Sequence, residues 1–262
     1  LDPLPVSLER TNLGPGGLGL ADDPATQSQP VVGWTPGKAH LLIVGGPGSG
    51  AAEAALGAVL AAAEVTSPDA LHLYVLSASG PALPGLAALP HLGDWVEVSD
   101  HDRVARLLRM LGNRLDATPH TSAGERRAVL VVDGLTALRA LLAEREHRTE
   151  AETFERLVAE GPTHGLTLVV TADQPAAVPG NLLARTDDRW VMRLADRHDA
   201  LLVGVAPDLL AGSWPAGRAV SALTGFPMQI GIDGDPAASA RAIAARWSGR
   251  ATCPPERVPA LP

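Results

Sequence analysis

Continuous apolar runs alternate along this chain with segments whose apolar positions recur at helical spacing. HLLIVGG from His40, ALHLYVLS (70–77), AVLVVDG (128–134) and LTLVVTAD (166–173) are unbroken enough to be strands buried on both faces. GAAEAALGAVLAAA follows the first as an Ala-rich helix suited to tight packing on a sheet. After the second come the turn SGPALPG, a brief apolar helix ending at LPHLG and a strand WVEV (95–98). Ser99 or Asp100 then caps a helix to about Asp116, with Val104, Leu107, Leu108, Met110, Leu111 and Leu115 at roughly helical spacing. Further helices are predicted at 135–145 and 150–160. The alternation predicts a mainly parallel sheet with helices on both faces.

Beyond Pro179 the pattern changes. RWVMRL (189–194), a short helix through His198 to Val203, RAVSAL (218–223) and FPMQIGI (226–232) follow at close intervals, which predicts an antiparallel edge. A last helix runs from Pro236 to Trp247. The Pro/Gly/Asp-rich residues 1–39 read as an extended lead-in adding an edge hairpin, residues 40–248 as the main domain, and 249–262 as a linker tail without a core-forming pattern.

With 262 residues and 46% hydrophobic content, the chain is long and apolar enough for one large α/β core. A single cysteine, Cys253, permits no internal disulfide, and a reducing cytoplasm is the expected home. The longest apolar stretch, Ala54 to Ala63, is about half a membrane span, and LDPLPVSLER lacks a signal-peptide pattern. The formal net charge of -8 argues against duplex DNA as a partner. Lys38 is the only lysine and precedes the first strand, so a cation serving the strand's other end would have to be an arginine.

The first strand passes through a Gly-rich turn straight into a helix, as in a phosphate-binding loop of the form G-x-x-x-x-G-K-[ST]. Gly45, Gly46, Pro47, Gly48, Ser49 and Gly50 supply the loop, but Ala51 stands at the lysine position and Ala52 at that of the metal-binding hydroxyl. Backbone N–H groups could still cradle a phosphate there. The same letters fit G-x-G-x-x-A at Gly46, Gly48 and Ala51, although LSASG offers no acid for a dinucleotide ribose. Asp133, at the end of its strand, is read as a turn or cap acid before a metal ligand. Thr171 and Asp173 are explained equally by a solvated loop. The eight histidines show no metal-ligand spacing, so no metal site is expected. RVARLLRMLGNR (103–114) is a core-facing helix with solvated arginines, and Trp95, Trp190, Trp214 and Trp247 are expected to pack.

Taken in order, GLADDPATQSQP, KAHLLIVGGPGSG, LHLYVLSASGPALPGLAALPHLG, AVLVVDG, HGLTLVVTADQP, RWVMRLADRHDALLVGV and GRAVSALTGFPMQIGI resemble the successive segments of FtsK/SpoIIIE-type ATPase domains, in particular those of the EccC/EssC type VII secretion proteins. The resemblance implies a RecA-like P-loop NTPase fold, with Asp133 and Gly134 at the Walker B position and Thr171 and Asp173 at the sensor end. It also brings out departures. Gly134 replaces the glutamate that orients the attacking water in an active member, and Gln174 stands where an arginine is frequent.

Together with Ala51 and Ala52, these departures imply a pseudo-ATPase with no catalytic residues. ATP would be held weakly or not at all, and magnesium is not expected. The resemblance further implies neighbouring FtsK-type domains in one parent chain, attached to the inner face of the cell membrane, with a hexamer as its assembly and a secretion substrate peptide as a partner. The Pro/Leu/Pro character of LDPLPVSLER and CPPERVPALP resembles the junctions between such tandem domains. Two other classes stay open at this point: a working ATPase using an arginine from a neighbouring subunit, and a dinucleotide-dependent oxidoreductase.

Overall fold

A computed structural model of the chain describes residues 2–78, 84–116, 126–212, 214–250 and 252–260. Most of the predicted turn SGPALPG lies outside them. The described residues form ten strands: β1 (Gly19–Ala21), β2 (Val31–Val32), β3 (His40–Val44), β4 (Leu71–Ser77), β5 (Leu92–Glu97), β6 (Arg127–Asp133), β7 (Leu166–Ala172), β8 (Thr186–Met192), β9 (Arg218–Ser221) and β10 (Pro227–Ile230). They form one sheet in the order β2-β1-β10-β9-β8-β3-β7-β6-β4-β5. From β8 to β5 every pairing is parallel. From β8 to β2 every pairing is antiparallel. This is the mainly parallel sheet with an antiparallel edge that the hydrophobic pattern predicts.

The helices are α1 (Ala51–Val65), α2 (His101–Leu115), α3 (Leu135–Leu142), α4 (Arg148–Glu160), α5 (Gly180–Ala184) and α6 (Pro236–Trp247). Strand residues alternate between two cores. Leu42, Val44, Leu130, Val132, Leu168 and Val170 face α2, α3 and α4. Leu41, Ile43, Val129, Val131 and Val169 face α1 and, beyond it, α6. Eleven of the fifteen residues of α1 are buried, which only a helix of small side chains allows when it is covered on both sides. α2 has one apolar stripe, and Asp100 caps it by accepting from the Arg103 N–H at 3.1 Å, as its sequence predicts.

Three local readings need correction. β5 begins at Leu92, within the segment read as the end of a helix, because a half-polar edge strand lacks the apolar continuity of its neighbours. The predicted helix 135–145 stops at Leu142, and a 3-10 turn, Arg145–His147, separates it from α4. α5 had no apolar run long enough to mark it. Of the four tryptophans expected to pack, Trp190 is buried, and Trp95, Trp214 and Trp247 lie against the two cores.

The lead-in and the tail are both bound to the domain. Arg10 is buried, donating from Nε to Asp233 at 2.5 Å and from Nη1 to Glu64 at 3.2 Å, so the lead-in is tied to the end of α1 and the start of α6. The described residues of the tail have no helix or strand and are held at Thr252 and Cys253 by Asp69. Its carboxylate accepts from the Thr252 and Cys253 N–H groups at 2.8 and 2.7 Å and from the Thr252 hydroxyl at 2.8 Å.

Candidate functional site

The C-terminal ends of β3, β6 and β7 open into a cleft of about 620 Å³. Loop 45–50 and the first turn of α1 form one wall, and Asp133, Gly134, Thr136 and Thr171 form the other. All the residues singled out in the sequence line this cleft: Gly45, Gly46, Pro47, Gly48, Ser49, Gly50, Ala51, Ala52, Asp133, Gly134, Thr171 and Asp173. Six alanines, Ala51, Ala52, Ala78, Ala137, Ala140 and Ala172, supply much of the remaining surface.

The loop keeps the backbone of a phosphate cradle. Gly48 and Gly50 have φ of 71° and 92°, in the left-handed region that glycine adopts without penalty. At position 45 a Cβ would run into Ser49 and lie 2.9 Å from Met192 Cβ. Gly45 N–H donates to Ala172 O at 2.9 Å, Gly46 N–H to Arg193 O at 2.8 Å, and Gly217 N–H to Ser49 O at 2.8 Å. The loop is thus clamped by β7, the end of β8 and the turn before β9. The N–H groups of Gly48, Gly50, Ala51 and Ala52 find no acceptor among the described residues, and they sit at the positive pole of α1. Such a nest fits an anion. No lysine or arginine lines the cleft among the described residues, while Glu53, Asp133 and Asp173 do.

Arg193 is the basic side chain that contacts the loop. Its Nη2 donates to Pro47 O at 3.0 Å from outside the cleft, holding the loop rather than facing the nest. Lys38 lies at the opposite end of β3 beside Trp34 and His40, as its place in the sequence requires.

The second wall is organised differently from its reading in the sequence. Asp133 is 3% exposed and is neither a turn acid nor a cap. Its Oδ1 accepts from Thr171 Oγ1 at 2.9 Å and its Oδ2 from Ser77 Oγ at 3.4 Å. Gly134 N–H donates to the same Thr171 hydroxyl oxygen at 2.9 Å. Ser77, Asp133 and Thr171 therefore stitch together the ends of three adjacent strands, β4, β6 and β7. Thr171 is buried in this tie and not part of a solvated loop, whereas exposed Asp173 accepts from Thr136 Oγ1 at 2.6 Å. The Asp133 carboxylate is thus engaged by two hydroxyl donors, with alanine at position 52 opposite.

Gly134 has φ of 95°, and a Cβ built on it would lie 2.7 Å from Ala78 Cβ. A glutamate cannot occupy this position without moving the backbone. Sequence reasoning found Asp133, Gly134 and Thr171 but missed Ser77, Ala78, Arg193 and Gly217. Their roles depend on which strands are neighbours, and no local pattern encodes that.

The strand order settles the class. β3 is flanked by β7 and β8, and β4 stands two strands further out. In a dinucleotide-binding fold the strand after the Gly-rich loop's helix lies next to the first. A Gly-rich loop between a central strand and its helix, facing an acid at the end of a nearby strand, defines instead a RecA-like P-loop NTPase fold.

Within that class the chain belongs to the FtsK/SpoIIIE family, whose model matches residues 18–221. It is 28% identical over 261 residues to the ESX-5 secretion system protein EccC5 of Mycobacterium marinum, an alignment covering 87% of this chain and 18% of that protein. The chain thus spans less than a fifth of that relative. Among solved structures it is similar to EssC (ATPases 2 and 3) from Geobacillus thermodenitrificans, with a TM-score of 0.83 and 19% identity over all of this chain and 55% of that one. It is also similar to Thermomonospora curvata EccC (ATPases 2 and 3) in complex with a signal sequence peptide, with a TM-score of 0.78 and 20% identity over all of this chain and 54% of that one. Among the described residues, no helix is long and apolar enough to cross a membrane.

Proposed function

We propose that this domain is a catalytically silent module of a type VII-like secretion ATPase, retained for the surface it presents to neighbouring domains or to a substrate peptide. The observation that carries the reading is Gly134. Its left-handed backbone, and the closeness of Ala78 to where a Cβ would stand, disfavour the side chain that would orient a hydrolytic water. The missing lysine at Ala51 and the missing hydroxyl at Ala52 point the same way, since phosphoryl transfer depends on charge neutralisation and on a held metal ion. An arginine supplied by a neighbouring subunit would replace neither the metal site nor the water-orienting group. The nest of free N–H groups supports weak binding of a phosphate at most.

Similarity to chains carrying several ATPase domains supports same-chain domains as the partners. The peptide-bound EccC structure supports a peptide as a further one. In this reading the domain works in the cytoplasm as part of a parent chain held at the membrane and assembled as a hexamer.

Steady-state ATP turnover tests the silent site. The expected result is a rate no different from that of the Asp133→Ala variant. Turnover near about one per second, at the low end of ordinary enzymes, that disappears in that variant overturns the proposal.

A further inference from the structure

His101 and His147 are 46 positions apart in the sequence and meet on the surface. His101 opens α2, and His147 closes the 3-10 turn that leads into α4. α2 and α4 pack side by side on the same face of the sheet. Each runs back from the edge that carries the cleft, so their N-terminal ends meet on that side. The two imidazoles lie edge to face, with ring centroids 5.3 Å apart at 88°. Glu144 precedes His147 by three residues, and the ligand atoms of His101, Glu144 and His147 all fall within 4.8 Å of one another.

One atom in this group is unaccounted for. His147 Nε2 is shielded from solvent yet finds no hydrogen-bond partner among the described residues. A buried imidazole nitrogen normally finds a donor or acceptor. What surrounds this one are carboxylates beyond hydrogen-bond range, Glu144 Oε2 at 4.0 Å and Glu146 Oε1 at 3.8 Å, together with the second imidazole. Arg148, the next residue, is turned away to Glu152 at 3.0 Å.

We infer that His101, Glu144 and His147 form a binding site for a divalent first-row transition ion, with zinc as the species that two imidazoles and a carboxylate suit best. Ligand atoms around tetrahedral zinc stand about 3.3 Å apart, given Zn–N distances near 2.0–2.1 Å. Side-chain rotation by His101 and Glu144, both exposed, closes the gap from the present spacing. The Glu146 carboxylate or a water completes the fourth position. The ion would bridge the start of α2 to the junction between α3 and α4, at the end of the helix pair away from the Arg156–Asp116 ion pair. The inference is independent of the state of the P-loop cleft.

Calorimetric titration of the chelator-treated 262-residue chain with Zn²⁺ tests the site, with melting followed in parallel. One ion per chain at micromolar affinity is expected, with a rise in melting temperature of about 5 °C or more at a hundredfold excess over Kd. His101→Ala and His147→Ala should each weaken binding by about tenfold or more and remove most of that rise, whereas His198→Ala should change neither. His101 is exposed at a helix start, so its variant folds like the parent and carries the test should His147→Ala not fold. Absence of micromolar binding, or binding that survives His101→Ala, or equal weakening by His198→Ala, overturns the assignment.

Discussion

On one side of the cleft, loop 45–50 keeps the backbone of a phosphate cradle and presents alanine at 51 and 52 where the chemistry would sit. On the other side, Asp133 and Thr171 keep polar side chains and spend them on each other, on Ser77 and on the Gly134 N–H. The first wall offers a shaped backbone with alanine side chains; the second carries polar side chains turned inward. Two different ways of building a wall therefore coexist in one folded cleft. A cradle made of N–H groups depends on glycine conformations and on clamping by β7, β8 and the turn at Gly217. A strand-end carboxylate remains affordable when adjacent strands supply its hydrogen-bond donors.

The comparison can be broken most severely at Gly134. Gly134→Glu combines a left-handed backbone with a 2.7 Å approach to Ala78 Cβ and should cost about 4 kcal/mol, lowering the melting temperature by about 10 °C without bringing turnover. Thermal unfolding checks this. A variant as stable as the parent would show that the second wall is free to reshape.

Thr171→Val should come next, at about 2–3 kcal/mol in urea unfolding, because it strips a donor from the buried Asp133 and an acceptor from Gly134 N–H. Thr171→Ser, which retains the hydroxyl, should recover most of that loss. Equal effects of Val and Ser would mean that packing, not the hydrogen-bonded tie, is what Thr171 contributes.

The first wall should respond in affinity more than in stability. Restoring Ala51→Lys and Ala52→Thr together should raise ATP affinity by about 10- to 100-fold, the range that one or two charge-assisted contacts supply, while hydrolysis stays absent. Calorimetry with ATP and magnesium decides this. No gain in binding would mean that the cradle is not presented to a nucleotide at all.

Much of this was legible in the sequence, and the parts that were not share a physical cause. Four buried strands announced themselves by continuous apolar runs, Asp100 by its place before an amphipathic helix, and the loop by Gly45 and Gly50. β5 and α5 were blurred because an edge strand is half polar and a five-residue helix has no period to display. The assignment of Asp133 as a cap failed for a different reason. Its donors, Ser77 and Thr171, sit 56 and 38 residues away and reach it only through the order β4-β6-β7. Arg193 reached the loop because β8 lies beside β3, and His101 met His147 because α2 lies beside α4. Residues that act through long-range neighbours leave no local trace, whereas burial and capping do.

The contact between positions 134 and 78 also bears on history. Once a lineage has glycine at 134 with its backbone turned left-handed, and Ala78 has settled into the space a Cβ would need, a single reversion at 134 meets a steric barrier instead of restoring what was lost. Recovery would require the backbone at 134 and the neighbour at 78 to change together. Each change alone brings no benefit while Ala51 and Ala52 remain. On the proposed silent reading, the pair 134 and 78 works as a ratchet against regaining a water-orienting side chain by a single change.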